Sequence, residues 1–275
     1  MVTLQADQYS LPATEIVPHI LKLTPKNPVQ QAAQEILRSW DYVMTPSSIA
    51  ATLYSMFLRK LAHIVFSSVL GDDSTLSHQY LGVGSTIFSL MNGYAGRSTP
   101  LLIRLLKEQD DNWFADSPFA NGPQTWNMAL ERTFEATLDE LREQLGSNIL
   151  RWQYGVVHKM KCVHPLGAVK PLEKFFNRGP YPIGGDGDTV SVAASPYNNP
   201  EEVLSVPAYR QIVDLGDLAN SRAIHIPGQS GHPASKHYDD FISLWREHNP
   251  HPMYFDTDTI EREAEGVLHL LPKHP

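Results

Sequence analysis

A single cysteine, Cys162, excludes an internal disulfide framework and any cysteine-rich zinc site. Cationic excess is missing too. The net charge is −8 over 275 residues and the isoelectric point is about 5.8, against the basic balance of a general nucleic-acid binder. The acids divide evenly between residues 1–150 and 151–275, so no charged tail stands out. Long apolar runs are absent. The most apolar stretch, Leu61 to Leu70, is broken by His63, Ser67 and Ser68, short of the roughly 18 residues of a membrane span. Residues 1–15 are polar and lack the apolar core of an export signal. The expectation is a soluble chain with no nucleic-acid and no membrane partner. Hydrophobic residues at 42% and charged residues at 19% are the composition of a globular chain and exclude wholesale disorder.

The chain changes character near residue 150. Residues 1–150 read as mainly helical. Val17, Ile20, Leu21 and Leu23 form one apolar face, and Asn27-Pro28 opens a second helix running toward Trp40. Pro46 to about Leu70 reads as a long helix, with Lys60 the one polar member of its apolar stripe and Gly71-Asp72-Asp73 ending it. Pro100 to Lys107 and Thr125 to Leu145 follow, the latter with Gly146 as C-cap. Between them Asp110 to Pro123 is loop, anchored by Trp113, Phe114 and Phe119. Residues 151–275 read as β-rich, with Gly and Pro dense between short runs. Expected strands are Gly155–Lys161, Thr189–Ala193, Tyr209–Leu215, Arg222–Ile226 and Val267–Leu271. Expected helices are His237–Arg246 and a short capped one from Thr257. So few short strands make a poor sheet by themselves, and their partners lie elsewhere.

Several local patterns carry possible chemistry. Gly184-Gly185-Asp186-Gly187-Asp188-Thr189-Val190 lacks the spacing of a calcium-binding EF-hand loop and the Lys-Ser/Thr ending of a P-loop. It reads as a glycine turn feeding a strand, its Asp side chains capping backbone amides. Nine of the twelve histidines lie after residue 150, among them His158, His164, His232 and His237, yet no His-Glu-x-x-His pattern occurs and loop roles outweigh metal ligation. Gly228-Gln229-Ser230-Gly231-His232 matches a serine elbow only in part. Its last position is His, and Pro233 stands where a helix would start. Gly146-Ser147-Asn148 is the kind of step at which some hydrolases cut themselves to free a serine α-amine.

The second half also carries an ordered set of motifs. Trp152-Gln153-Tyr154-Gly155-Val156-Val157-His158 and His164-Pro165-Leu166 come first. Phe175-Phe176-Asn177-Arg178-Gly179-Pro180-Tyr181-Pro182-Ile183 then leads into the Gly-Asp-Gly-Asp-Thr-Val loop. Tyr209-Arg210-Gln211-Ile212-Val213-Asp214-Leu215, Pro227-Gly228-Gln229-Ser230-Gly231-His232-Pro233, His237-Tyr238-Asp239-Asp240 and Pro252-Met253-Tyr254-Phe255 complete the series. Together they resemble the C-terminal part of the penicillin acylase (penicillin amidase) family of N-terminal-nucleophile hydrolases. Gln5 to Ala13 and Trp40-Asp41 resemble the family's stretch ahead of its helical region.

The resemblance implies an α+β architecture, the C-terminal portion of an αββα sandwich with a helical first half and then short antiparallel strands. It implies hydrolysis of a linear amide by an N-terminal serine whose α-amine takes the hydroxyl proton. The family's serine, oxyanion asparagine and calcium ligands belong to segments upstream of anything matched here. The expectation is therefore no assignable catalytic residue, no cofactor, and no activity without an N-terminal acylase segment or chain. A small acyl-amide substrate would bind only the assembled enzyme. Asp214 matches a carboxylate that some cephalosporin-type members place behind the active-site histidine; a capping Asp at a strand end is the alternative. Ser191 and Lys236 depart from the family's common Asn and Pro. Complete members are typically periplasmic or extracellular. Two other readings stay open: a non-catalytic binding or scaffold remnant of the fold, and a self-cleaving enzyme using Ser147.

Overall fold

Helix starts in the first half are set by their capping residues. Ser10, Asn27, Ser48 and Thr125 each accept a hydrogen bond from the amide three residues on, at 3.4, 2.9, 3.1 and 3.2 Å. The computed structural model describes residues 1–71, 74–85, 89–119 and 121–273. The helices are α1 (Val2–Gln5), α2 (Leu11–Leu21), α3 (Pro28–Arg38), α4 (Ile49–Leu70), α5 (Ser74–Tyr80), α6 (Ala95–Glu108), α7 (Trp126–Leu145), α8 (Tyr154–Val157), α9 (Glu173–Phe176), α10 (Phe241–Arg246) and α11 (Thr257–Glu263). The strands are β1 (Val83–Ser85), β2 (Ser89–Met91), β3 (Lys159–Cys162), β4 (Arg178–Pro182), β5 (Glu202–Val203), β6 (Tyr209–Ile212), β7 (Arg222–His225) and β8 (His251–Pro252). Two compact units result: Ala6–Pro207, and Met1–Gln5 with Ala208–Pro275. The change of character at residue 150 falls inside the first.

In the Ala6–Pro207 unit the helices share one apolar core that runs from Ala13 to Val157. Helix α4 is buried on most of its circumference, as a central helix must be. Phe57 on α4 meets Phe134 on α7 edge to face, with centroids 6.5 Å apart. Lys60, the polar member of the stripe, forms an ion pair with Glu140 of α7. Gln34 of α3 is buried and gives both amide protons to the end of α2, at 2.8 Å to the carbonyls of Ile20 and Leu23. The Ile20 carbonyl also accepts from the Lys22 and Leu23 amides, so Gln34 reinforces a helix end that the backbone already closes. Gly71, at φ 73°, follows the last residue of α4; Asp72 and Asp73 of the expected stop signal lie outside the described residues. Trp113 and Phe119 are half-buried and Phe114 fully so, and Trp113 Nε1 donates to the Val65 carbonyl at 2.9 Å.

Helix α4 also has the length and composition to cross a membrane. Counting uninterrupted apolar residues misses this, because Arg59 and Lys60 split the run. Here the helix is wrapped by α2, α3 and α7, the ordinary situation of a core helix.

The second half departs from the expected elements in four places. Gly155–Lys161 divides into α8 and then β3. Tyr154 and Gly155 donate to the carbonyls of Ser48 and Pro46 at 3.0 and 2.7 Å, which turns the chain there and overrides the β preference of Val156 and Val157. Thr189–Ala193 is not a strand, because its amides bond to Asp7 and Asp186. Residues 267–271 are exposed and enter no described sheet. Helix α10 begins at Phe241, four residues after the expected start, because His237–Asp240 form the turn that packs on Gly228. The antiparallel β1–β2 pair and strands β4, β5 and β8 are additional to the expected strands.

The sheets are small. β3 pairs β4 antiparallel and β5 parallel, giving the order β4-β3-β5. In the unit holding residues 208–275, β6, β7 and β8 form an antiparallel sheet, with Arg210 opposite Ile224 and Ala223 opposite His251. Its core is Ala223, Ile224, Tyr238, Ile242 and Trp245. Arg210 lies 4.3 Å over the Trp245 ring and donates Nη1 to the Trp245 carbonyl at 2.9 Å. The Phe57–Phe134 contact is the central packing event of the larger unit. Phe57→Ala should therefore cost about 3–5 kcal/mol, read as a lower urea midpoint with an unchanged slope.

Candidate functional site

The Gly184–Tyr197 segment is held by bonds that only glycine permits. A side chain at Gly184 would stand 2.5 Å from the Met44 carbonyl. One at Gly185, which also has φ 82°, would stand 2.2 Å from the Ser191 carbonyl. The freed space lets Gly185 donate to Met44 at 2.8 Å and Ser191 to Asp7 at 2.8 Å. Asp186 Oδ1 accepts from the Asp188 amide at 2.8 Å, the capping role its sequence suggests. Thr189 Oγ1 accepts from the Asp186 amide at 2.9 Å and donates to the Ser191 carbonyl at 3.0 Å.

Two residues ahead of the loop, Tyr154 and His158, complete the clamp. Tyr154 donates its hydroxyl to the Gly185 carbonyl at 3.1 Å and stacks on His158, centroids 4.4 Å apart. His158 is buried, with Nδ1 3.0 Å from the Ile183 carbonyl and Nε2 3.0 Å from the Ala193 carbonyl. It thereby ties the two ends of the loop together. A neutral imidazole can donate through only one nitrogen, so two carbonyls favour the cation. Burial outweighs them, helped by the Arg59 charge, and pushes the pKa down to about 4.

Opposite this loop α4 and α6 open a cavity of about 340 Å³. Arg59 of α4 is committed to its wall. Nη2 donates to Ser195 Oγ at 2.6 Å, and Nη1 to the carbonyls of Pro196 and Tyr197 at 2.8 and 3.1 Å. Asp186 is half-buried and Asp188 stands at the opening, where Thr99 of α6 donates to its carboxylate at 3.4 Å. Among the described residues no Lys, Arg or His forms an ion pair with either. Enclosure by protein, then the Asp188 charge, push the Asp186 carboxyl up to about 7. Burial raises Asp188 as well. The sequence singled out Asp186 and Asp188 but not Arg59 or Thr99, which lie on helices far off in the chain. The one available signal was a cation in the middle of an otherwise apolar helix.

The other residues singled out by sequence are placed elsewhere. Asp214 lies beyond the end of β6. Its Oδ1 accepts from Gly216 at 3.0 Å and its Oδ2 from Asn220 Nδ2 at 3.0 Å, bonds that hold its pKa below the usual range, Asn220 foremost. His237 lies in the same unit, between Asp240 at 2.8 Å and Glu265 at 3.2 Å, and both raise its pKa, Asp240 more. Ser230 Oγ and His232 Nδ1 accept from nearby amides and do not pair with each other. His164 caps a turn through the Leu166 amide. Ser147 is exposed just after the helix stop at Gly146, whose carbonyl accepts from Trp152 Nε1 at 2.9 Å. Among the described residues no three His, Cys, Asp or Glu side chains gather around one point.

Linkage gives the two buried groups opposite pH slopes. His158, depressed from 6.5, withdraws stability as pH falls from about 6.5 toward 4. Asp186, raised from 3.8, withdraws it as pH rises through the window from 3.8 to about 7. The two slopes oppose between pH 4 and 6.5. Asp186→Asn removes the falling slope of Asp186, so between pH 4 and 6.5 the variant's stability should rise with pH more steeply than the parent's, by up to about 1.4 kcal/mol per unit. Urea melts of both proteins at a series of pH values check this; parallel profiles contradict it.

Comparison with known proteins agrees with this architecture. Residues 1–262 match the penicillin amidase family. An acyl-homoserine lactone acylase, QuiP, from Pseudomonas aeruginosa is 30% identical over 225 residues, 78% of this chain and 25% of the relative. The penicillin acylase 2 proenzyme of Pseudomonas sp. (strain SE83) is 29% identical over 247 residues, 89% of this chain and 29% of the relative. A thermostable penicillin G acylase from Alcaligenes faecalis superposes with a TM-score of 0.51 at 15% identity, covering 98% of this chain and 48% of that one, a likeness of fold. The chain thus spans about a quarter of the length of the curated relatives it matches. With helices first, short strands after, and a family match over nearly all its residues, the chain belongs to the penicillin amidase family.

Proposed function

We propose that this chain is the C-terminal segment of an amidohydrolase that cleaves linear, non-peptide amide bonds. The observation that carries this reading is the family match over residues 1–262, set against relatives about three times as long. An N-terminal segment or chain supplies the catalytic serine and the remaining strands. The serine hydroxyl attacks the amide carbonyl, its own α-amine takes the proton, and the amine product leaves an acyl-enzyme that water hydrolyses. The relatives named as penicillin and acyl-homoserine lactone acylases make acylated small amines the substrate class to try. In that assembly Asp214 matches the carboxylate that some members place behind an active-site histidine, while its bonds to Gly216 and Asn220 are also those of the alternative, a capping Asp at a strand end.

The expected outcome is no hydrolysis of a phenylacetyl amide or an acyl-homoserine lactone by the 275-residue chain alone, and hydrolysis after co-expression with the N-terminal part of a relative. Activity of the purified chain by itself would refute the proposed division of labour. A second reading, a non-catalytic scaffold, is favoured by the continuous core of the Ala6–Pro207 unit. It predicts that no co-expressed segment associates with the chain. Intact mass separates both from self-cleavage: a single species of 30.8 kDa is expected, and a cut at Gly146-Ser147 would instead make Ser147 the nucleophile.

A further inference from the structure

Charge is unevenly spread within the Ala6–Pro207 unit. Residues 151–182 hold six Lys and Arg against one acid, Glu173, a net of +5. The rest of that unit holds ten against nineteen, a net of −9. The positive segment contains a loop, residues 163–177, whose ends are joined by the pairing of Cys162 on β3 with Arg178 on β4. The loop forms two 3-10 turns, Pro165–Ala168 and Lys170–Leu172, and then α9. Its length and close ends are those of an Ω-loop. Its polar groups are used to close it. Asn177 Oδ1 accepts from the His164 amide at 2.9 Å, and Asn177 Nδ2 donates to the Gly167 carbonyl at 3.2 Å. Only glycine fits at 167, because a Cβ there would stand 2.0 Å from Asn177 Oδ1. His164 stacks on Phe176, centroids 4.7 Å apart, and Lys161 pairs with Glu173 at 2.5 Å.

The apolar side chains are left outside. Val163, Leu166, Val169 and Phe175 are 59, 51, 52 and 55% exposed. Lys170 and Lys174 stand among them, exposed and in no ion pair among the described residues. Clustered exposed apolar groups beside charge mark a surface that meets something. We propose that this loop docks the chain on an anionic lipid surface, with Lys170 and Lys174 at the phosphate headgroups and Val163, Leu166, Val169 and Phe175 in the acyl boundary. A bilayer interface offers negative charge directly above an apolar layer, the same pairing that the loop presents. An acidic polypeptide would meet the lysines and leave the apolar side chains in water. Addition of a partner's strand is opposed by Pro180 and Pro182 on β4, the edge of its sheet. The expectation of no membrane partner rests on the lack of a spanning run, and a surface contact needs none. The net of −9 on the rest of the unit is repelled by such a surface, so the loop is the part that approaches.

The test is co-sedimentation of the 275-residue chain with unilamellar vesicles, of phosphatidylcholine alone or with about 30% phosphatidylglycerol. Binding to the phosphatidylglycerol vesicles is expected, about tenfold or more tighter than to phosphatidylcholine alone, and lost between about 0.05 and about 0.5 M salt. Lys170→Gln combined with Lys174→Gln removes two exposed charges without touching the closing bonds, and should weaken binding about thirtyfold. Phe175→Ser should weaken it about tenfold at low salt. Val169→Ser, which leaves the Phe175–Phe176 contact in place, should lower affinity in the same direction. Each variant is read only after its thermal melt matches the parent's. Immobilised poly-glutamate is the probe for an acidic polypeptide. Equal binding to the two kinds of vesicle, unchanged affinity in the double lysine variant, unchanged affinity in both apolar variants, or retention on poly-glutamate as tight as on vesicles would each overturn the proposal. These readouts involve neither amide hydrolysis nor an N-terminal segment, so they stand apart from the proposed catalytic role.

Discussion

Drawing the Arg59 guanidinium out of bulk water is unfavourable, and three hydrogen bonds to residues 195–197 offset that. Much of the Ala6–Pro207 unit is organised around this exchange. The bonds attach a loop from the second half of the chain to the central helix of the first. The Arg59 charge then reaches outward: it disfavours a proton on His158 and moderates the pKa of Asp186. A neutral side chain at 59 would remove the anchor and alter both neighbours together.

The glycines are the steric counterpart of that electrostatic anchor. Gly184 and Gly185 allow the loop to lie against the Met44 carbonyl and to fold back on Ser191. Tyr154 and His158 then meet its carbonyls from the other side. Only with the loop drawn in this way do Asp186 and Asp188 face α6 across a cavity instead of solvent. The short helix α8 belongs to the same arrangement, since the turn that converts an expected strand into a helix is what brings Tyr154 under Gly185.

The legible parts of the sequence were local. Asn27-Pro28 and Thr125 announced helix starts because a cap and its amide are three residues apart, and Gly146 announced a stop at φ 83°. Capping by Asp186 was visible for the same reason. The missed features depend on distant partners. Val156 and Val157 suggest a strand until Pro46 and Ser48 take the preceding amides. Lys60 looked anomalous in an apolar stripe until Glu140 stood beside it. Arg59 and Thr99 have no local pattern at all; what gives them meaning is a loop roughly ninety to one hundred and forty residues later in the chain. The ordered motifs of the second half carried the family, but not the cavity that some of them line.

The strand edges differ in what they can accept. β4 offers Pro180 and Pro182, which have no amide proton, along one rim of its sheet. β5 and β8 are two residues long, and β8 ends in Pro252. Such edges are poor templates for further pairing. β6 is different: Tyr209, Arg210, Gln211 and Ile212 all keep an amide proton, and its outer side has no strand beside it among the described residues. Growth of the β6-β7-β8 sheet is therefore directional. Of its two rims, β6 alone keeps an amide proton on every residue, with its Gln211 carbonyl already accepting from Gln5 Nε2 at 3.0 Å, while β8 ends in proline.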